Sequence, residues 1–129
     1  MIANMTPLLQ PGTFVFCSVI NNHDVAEAMK VARATFVEDE GLSLILPKSE
    51  ADRLGLSYET PMKQITLMVF SSLEGVGLTA AVAKALAKEE IPANVVAATQ
   101  HDHVFVPSKK ADDAIQVLRR LQAKAQGDR

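Results

Sequence analysis

Residues 44–56 read LILPKSEADRLGL, and residues 104–118 read VFVPSKKADDAIQVL. Laid side by side without a gap over the first nine positions, they set Pro47 on Pro107, Ala51 on Ala111 and Asp52 on Asp112. Each begins as an apolar strand, meets a proline that cannot continue a sheet ladder, and runs on through polar residues into a helical pattern. The shared corner predicts one structural unit present twice.

The segments around each corner support that reading. Residues 13–20, TFVFCSVI, are β-branched and aromatic between Pro11-Gly12 and Asn21-Asn22, which predicts a strand. Asp24 is placed to cap a short helix whose apolar face carries Val25, Ala28, Met29 and Ala32. Residues 35–40 and 42–46 predict two strands separated at Gly41, and residues 49–54 a short helix stopped by Gly55. The same order then recurs. Residues 63–71 form a strong strand pattern, and Leu78, Ala81, Val82, Ala85 and Leu86 trace a helix that ends near Glu90, before Pro92. Residues 94–99 and 103–106 are a second strand pair, and Ala111, Ala114, Ile115, Leu118 and Leu121 mark a last helix running into the polar tail QAKAQGDR.

Each copy is therefore β-α-β-β-α, one strand short of the β-α-β-β-α-β unit in which an antiparallel sheet carries two helices on one face. Residues 56–62 are the candidate for the first missing strand. Residues 6–10 are the candidate for the second, by pairing with the other copy. The expected division is 1–61 and 62–129, with half-sheets side by side that bury each other's edges.

Composition narrows the function. With 48% hydrophobic residues, 22% charged residues and a formal net charge of -2, the chain has the makings of a core and no basic surplus for a nucleic acid. Phe14 and Phe16 share a strand face, as aromatics do in RNA-binding sheets, but HDHVFVP lacks the basic, glycine and aromatic spacing such a sheet needs. Cys17 is the lone cysteine, so no internal disulfide forms, and it reads as a buried small hydrophobe. The start MIANMTPLLQPG has neither the basic nor the apolar region of a secretory signal, and no apolar run approaches the roughly 20 residues of a membrane helix. A cytoplasmic protein is expected.

Three clusters could carry chemistry. SSLEGVGLTA at 71–80 sits between a strand and a helix, where unpaired N–H groups and a partial positive charge favour an anion. Gly75, Val76, Gly77 and Leu78 could cradle an α-carboxylate and Glu74 meet an ammonium; equally, the glycines could only permit a tight turn. The position of a third glycine is Ala80, so the stretch is not a dinucleotide fingerprint. At His101-Asp102-His103, alternation puts the histidines on one side and Asp102 on the other. A metal pair, a ligand-contacting aspartate and a plain polar hairpin tip all fit. Glu38, Asp39 and Glu40 are consecutive acids, read as a solvated hairpin or an acidic pocket wall, with Glu38 and Glu40 on one face.

With these motifs the chain resembles the tandem ACT-domain proteins, specifically the small bacterial two-repeat family related to the eukaryotic arginine-sensing ACT proteins. FVEDEGLSLILP at 36–47 resembles the acidic hairpin of the first repeat, and ITLMVFSSLEGVGLTAAVAKALAKEEIPANVVAATQHDHVFVP at 65–107 resembles nearly the whole second repeat. The resemblance covers most of residues 12–121 and includes Asn94 just before a strand. It implies an α+β fold of two ferredoxin-like (βαββαβ) ACT units in tandem, with helices on one face of antiparallel sheets. It also implies a regulatory, non-catalytic protein that binds an amino acid or similar small molecule between units. NNHDVAEA departs from the pattern in lacking a glycine at the helix start, so the first repeat is expected to serve mainly as a wall for the pocket of the second.

On that expectation the ligand carboxylate meets the amides of Gly75, Val76, Gly77 and Leu78, and Glu74 takes the amino group. Ser71, Ser72 and Thr79 assist, and Asp102 lines the far wall with Glu38 or Glu40; the related arginine sensors carry an aspartate at the place of Asp102. No cofactor, metal, nucleic acid or membrane is implied. A homodimer is expected, and a protein partner if the chain signals. The alternative is a structural or dimerisation module without a ligand.

Overall fold

A computed structural model describes residues 2–20, 22–69 and 77–127. Along the chain run β1 (Thr6–Leu9), β2 (Phe14–Val19), α1 (Asn22–Val31), β3 (Ala34–Glu38), β4 (Gly41–Pro47), α2 (Lys48–Leu54), β5 (Met62–Met68), α3 (Leu78–Lys88), β6 (Asn94–Ala97), β7 (Asp102–Pro107) and α4 (Ala111–Gly127). Short 3-10 turns occupy Ile2–Asn4 and Ser108–Lys110. Two compact units result: an internal unit, Gly12–Met62, and a composite unit in which Met1–Pro11 joins Lys63–Arg129. Both are α+β, with antiparallel strand pairs and helices packed on one sheet face, as two ferredoxin-like ACT units require.

In the internal unit the strand order is β3-β4-β2, antiparallel, with Phe14 opposite Pro47 and Val19 opposite Leu42. Alternation sends Val15, Cys17 and Val19 of β2, with Leu44 and Leu46 of β4, to the side covered by Ala28 of α1 and Ala51 of α2. The opposite side carries Phe14, whose ring lies 4.6 Å beneath the Arg33 guanidinium. Gly41 opens β4 where a Cβ would stand 3.0 Å from the Val19 carbonyl oxygen, so the hairpin requires a residue without one.

In the composite unit the order is β1-β5-β7-β6. Thr6 pairs with Met68 and Leu9 with Ile65, so the N-terminal segment closes a sheet whose other strands lie more than fifty residues away. Leu78, Val82 and Leu86 follow the i, i+4, i+8 stripe of α3 into a core with Ile65, Leu67, Val104, Val106, Ala114, Ile115 and Leu118. Burying each such aliphatic side chain contributes about 1.5–3 kcal/mol, so this stripe is what holds α3 to the sheet.

The two proline corners are conformational duplicates. Pro47 has φ -56 and ψ 137 before α2, and Pro107 has φ -53 and ψ 137 before the turn that leads into α4. Elsewhere the structure corrects the sequence reading. Residues 56–61 are not a strand: Leu56 and Tyr58 pack against the internal core, and the Tyr58 hydroxyl donates to Asp52 Oδ1 at 2.6 Å. Met62, opposite Phe14, is the residue that flanks β2. Helix α1 starts at Asn22, which puts Asp24 in its first turn rather than before it. Helix α4 continues past Leu121 because the N-terminal segment gives its tail partners: Gln122 and Gln126 donate to the Ala3 carbonyl at 3.3 and 3.0 Å.

Candidate functional site

Of the residues expected to bind, Ser71, Ser72, Glu74, Gly75 and Val76 lie outside the described residues. Gly77, Leu78 and Thr79 lie inside, at the start of α3. Gly77 is the N-cap, with φ 105 and ψ -27, and its carbonyl accepts the Ala81 N–H at 2.9 Å. A Cβ at Gly77 would meet no atom of the described residues within 4 Å, and the demand for glycine here comes from the backbone angle. Leu78 is 4% exposed and belongs to the core, which leaves its backbone rather than its side chain for a ligand. Thr79 is exposed.

Asp102 opens β7 opposite Ala97 and is half-buried. Beside it, His101 Nδ1 lies 3.4 Å from the Val69 carbonyl oxygen, tying the start of β7 to the end of β5. At the other end of β7, Lys110 donates to the Glu90 carbonyl at 2.8 Å, just beyond the close of α3. The finish of α3 thus lies at the finish of β7. Its start, with Gly77, falls at the end where β5 leaves the sheet and Asp102 enters it. That end gathers a helix N-terminus, a half-buried carboxylate and an imidazole.

Glu38 and Glu40 belong to the internal unit. Glu38 closes β3 opposite Gly41 and its carboxylate accepts a hydrogen bond from Ser43 Oγ; Glu40 is in the exposed turn that follows. The turn at residues 39–40 interrupts the alternation, so the two acids do not share a strand face as the sequence suggested.

Sequence reasoning missed a buried polar cluster in the composite unit. Gln64 and Thr66, 3% and 2% exposed, point away from the helices on β5 and meet His103 from β7 and Gln10 from just beyond β1. Gln10 Nε2 donates to Thr66 Oγ1 at 2.9 Å, and Gln64 Nε2 to the same oxygen at 3.2 Å. His103 Nδ1 lies 3.0 Å from Thr66 Oγ1 and 3.1 Å from Gln64 Nε2. The alternation of Gln64 and Thr66 inside a strongly apolar strand marks one face as polar but does not show that this face is buried. His101 and His103 do fall on one side, ring centroids 6.5 Å apart and edge-on. Both Nδ1 atoms are engaged within the protein, and among the described residues no group of three or more His, Cys, Asp or Glu could hold a metal ion. Cys17 is buried, and that burial raises its thiol pKa, which keeps it protonated and unreactive.

An open groove of about 400 Å³ lies at the opposite end of α3, lined by Glu89, Ile91, Lys110, Asp113, Val117 and Arg120 among others. None of the expected binding residues among those described borders it. Among the described residues no helix is long and apolar enough to cross a membrane.

Comparison with known proteins accords with this geometry. Two models described as ACT domain match residues 1–63 and 59–120. No curated protein matches the sequence. Among solved structures, a Vibrio cholerae protein of unknown function, described as a possible transport protein, is 41% identical with a TM-score of 0.84, over 95% of this chain and 93% of that one. An Agrobacterium tumefaciens protein is 14% identical with a TM-score of 0.72, over 92% and 90% of the two chains. The regulatory subunit of aspartate kinase from Thermus flavus is 9% identical with a TM-score of 0.65, over 90% and 96%; at such identity the likeness is one of fold. Two consecutive family matches over a twice-built corner make the chain a tandem pair of ACT domains, and it belongs to the ACT-domain family.

Proposed function

We propose that this chain is a cytoplasmic, non-enzymatic regulatory protein that binds a free amino acid, or a close chemical relative, at the start of α3 in its composite unit. ACT domains are regulatory modules that bind amino acids, and the protein matches such modules rather than catalytic ones. The observation that carries the reading is the convergence at one sheet end of the α3 N-terminus, Asp102, and the His101 contact to the exit of β5. A helix start favours a carboxylate, and an aspartate at the same end of the sheet favours an ammonium or guanidinium group.

In this reading the backbone at Gly75 to Leu78 holds the α-carboxylate, Glu74 holds the amino group, and Ser71, Ser72 and Thr79 complete the clamp. Asp102 selects for a cationic or polar side chain. Glu38 and Glu40 are not carried into the proposal, since one is engaged by Ser43 and the other sits in an exposed turn of the internal unit. Because the chain resembles the arginine-sensing ACT proteins, arginine is the first amino acid to test. A few charge-assisted hydrogen bonds supply affinities of about -4 to -8 kcal/mol, millimolar to micromolar, which suits a sensor. A sensor acts on a partner, here a second copy of the chain or a separate protein.

A thermal-shift screen of the twenty amino acids tests the reading. A true ligand at a hundredfold its dissociation constant adds about 2.7 kcal/mol to stability. No shift with any of them, checked by calorimetry, would sink it. The second reading, a structural module without a ligand, is favoured by one observation: the positive φ of Gly77 is by itself sufficient reason for a glycine at that turn.

A further inference from the structure

The acids at residues 38–40 and the strand they close have no place in the proposed ligand site. That strand, β3, is the outer one of the internal unit: it pairs with β4 on one side, and among the described residues no strand pairs with the other. Such an edge offers a row of N–H and C=O groups to any extended chain, and natural sheets usually blunt it with lysine, proline, a bulge or a cover. Residues 34–38 read ATFVE, with neither lysine nor proline. Phe36 is 72% exposed and Val37 82%. Val37, opposite Leu42, is on the helix side of the sheet, whereas Phe36, opposite Ser43, is on the side the helices leave open. The edge is thus apolar on both sides. The outer strands of the composite unit are better guarded: β1 contains Pro7, and Val95 and Val96 of β6 are half-buried.

We propose that β3 is the surface through which two copies of this chain associate, antiparallel across a two-fold axis at Phe36, so that the sheets of two internal units join edge to edge. Charge decides for a second copy. Arg33, exposed, stands just before β3, and Glu38, Asp39 and Glu40 stand at its other end. With Phe36 opposite its own copy, Ala34 falls opposite Glu38 and Arg33 opposite Asp39, at both ends of the pairing at once. A parallel arrangement would set three acids against three acids. A two-fold contact uses the same patch on both partners and closes on itself, so it yields a dimer rather than a filament. Strand pairing supplies main-chain hydrogen bonds, Phe36 and Val37 lose their contact with water, and the Arg33 to Asp39 pairs fix the register. The association stands on the internal unit alone and does not depend on whether an amino acid binds at α3.

The experiment has two arms on the full-length chain. Sedimentation equilibrium compares wild type with Val37→Lys, whose added charge stands in water in a lone chain and against the copy in a dimer. Wild type should run at twice the mass of one chain, and the variant at the mass of one. A wild type still monomeric at about 100 µM, where an association with a Kd of about 10 µM is mostly dimeric, would overturn the proposal. So would a Val37→Lys variant that keeps the dimer mass, since the copies would then meet elsewhere. Hydrogen exchange supplies the arm that needs no variant. In wild type, dilution from dimer to monomer should speed exchange at backbone amides within residues 34–38 by about tenfold or more, and leave those of β6 unchanged. Exchange in β3 that does not respond to dilution would refute pairing at this edge.

Discussion

Gly77 and Leu78 are adjacent and answer to different demands. Gly77 is exposed and bound by its backbone angle, while Leu78 is buried and bound by packing. Substituting Gly77 by Ala should therefore cost about 1–3 kcal/mol, measured by urea unfolding, although the added methyl touches nothing among the described residues. A cost near zero would mean that the φ of 105 is not required by the fold. At this scale the sequence was informative about glycines and apolar spacing, because each obeys a local rule. It was not informative about Gln64 and Thr66. A polar residue alternating in a strand ordinarily faces water, and only the partners from β1 and β7 reveal that these two are buried. The expectation that Glu38 and Glu40 share a strand face missed for a similar reason, since β3 ends at Glu38, two residues earlier than expected, and the turn at 39–40 breaks the alternation on which it rested.

Among the elements, the strand-proline-helix corners were fully legible, because proline fixes φ and removes a donor wherever it stands. The segment after α2 was not. Its apolar residues look strand-like, yet Tyr58 is drawn to α2 by its hydrogen bond to Asp52, which Lys48 also approaches at 3.0 Å. The Tyr58 hydroxyl first, and Lys48 next, hold the Asp52 carboxyl below its ordinary pKa of 3.8. The same partners, Asp52 foremost, raise Lys48 above 10.5. For Asp52 the contribution to stability is complete above about pH 4 and lost as pH falls through the lowered value. For Lys48 it is complete below about pH 10.5 and lost as pH rises through the raised value. Tyr58→Phe should accordingly lose less stability than wild type on going from pH 5 to pH 2.5. Equal losses, read from urea midpoints, would show that this exposed trio does not couple to folding. The length of α4 was also hidden, because Gln122 and Gln126 find their acceptor in Ala3, at the far end of the chain.

For the whole molecule, the repeat announced two units, but not that the composite unit borrows its outer strand from the N-terminus of the chain. Residues 6–10 offered themselves only because they had no other role, which is an argument by remainder rather than by pattern. The functional end was legible in part. SSLEGVGLTA marked a helix start, and HDH marked a strand start; that α3 begins where β5 ends and β7 begins follows from topology and from the contacts of His101 and Lys110. The groove at the other end of α3 supplies the rival location. The most direct measurement is therefore a ¹H–¹⁵N titration of the labelled chain with free amino acids, arginine first. A bound amino acid should move the amides of Gly77, Leu78, Thr79 and Asp102 and leave those of Ile91, Val117 and Arg120 in place. Shifts centred on the latter three, or none with any of the twenty, would contradict an amino-acid site at the start of α3.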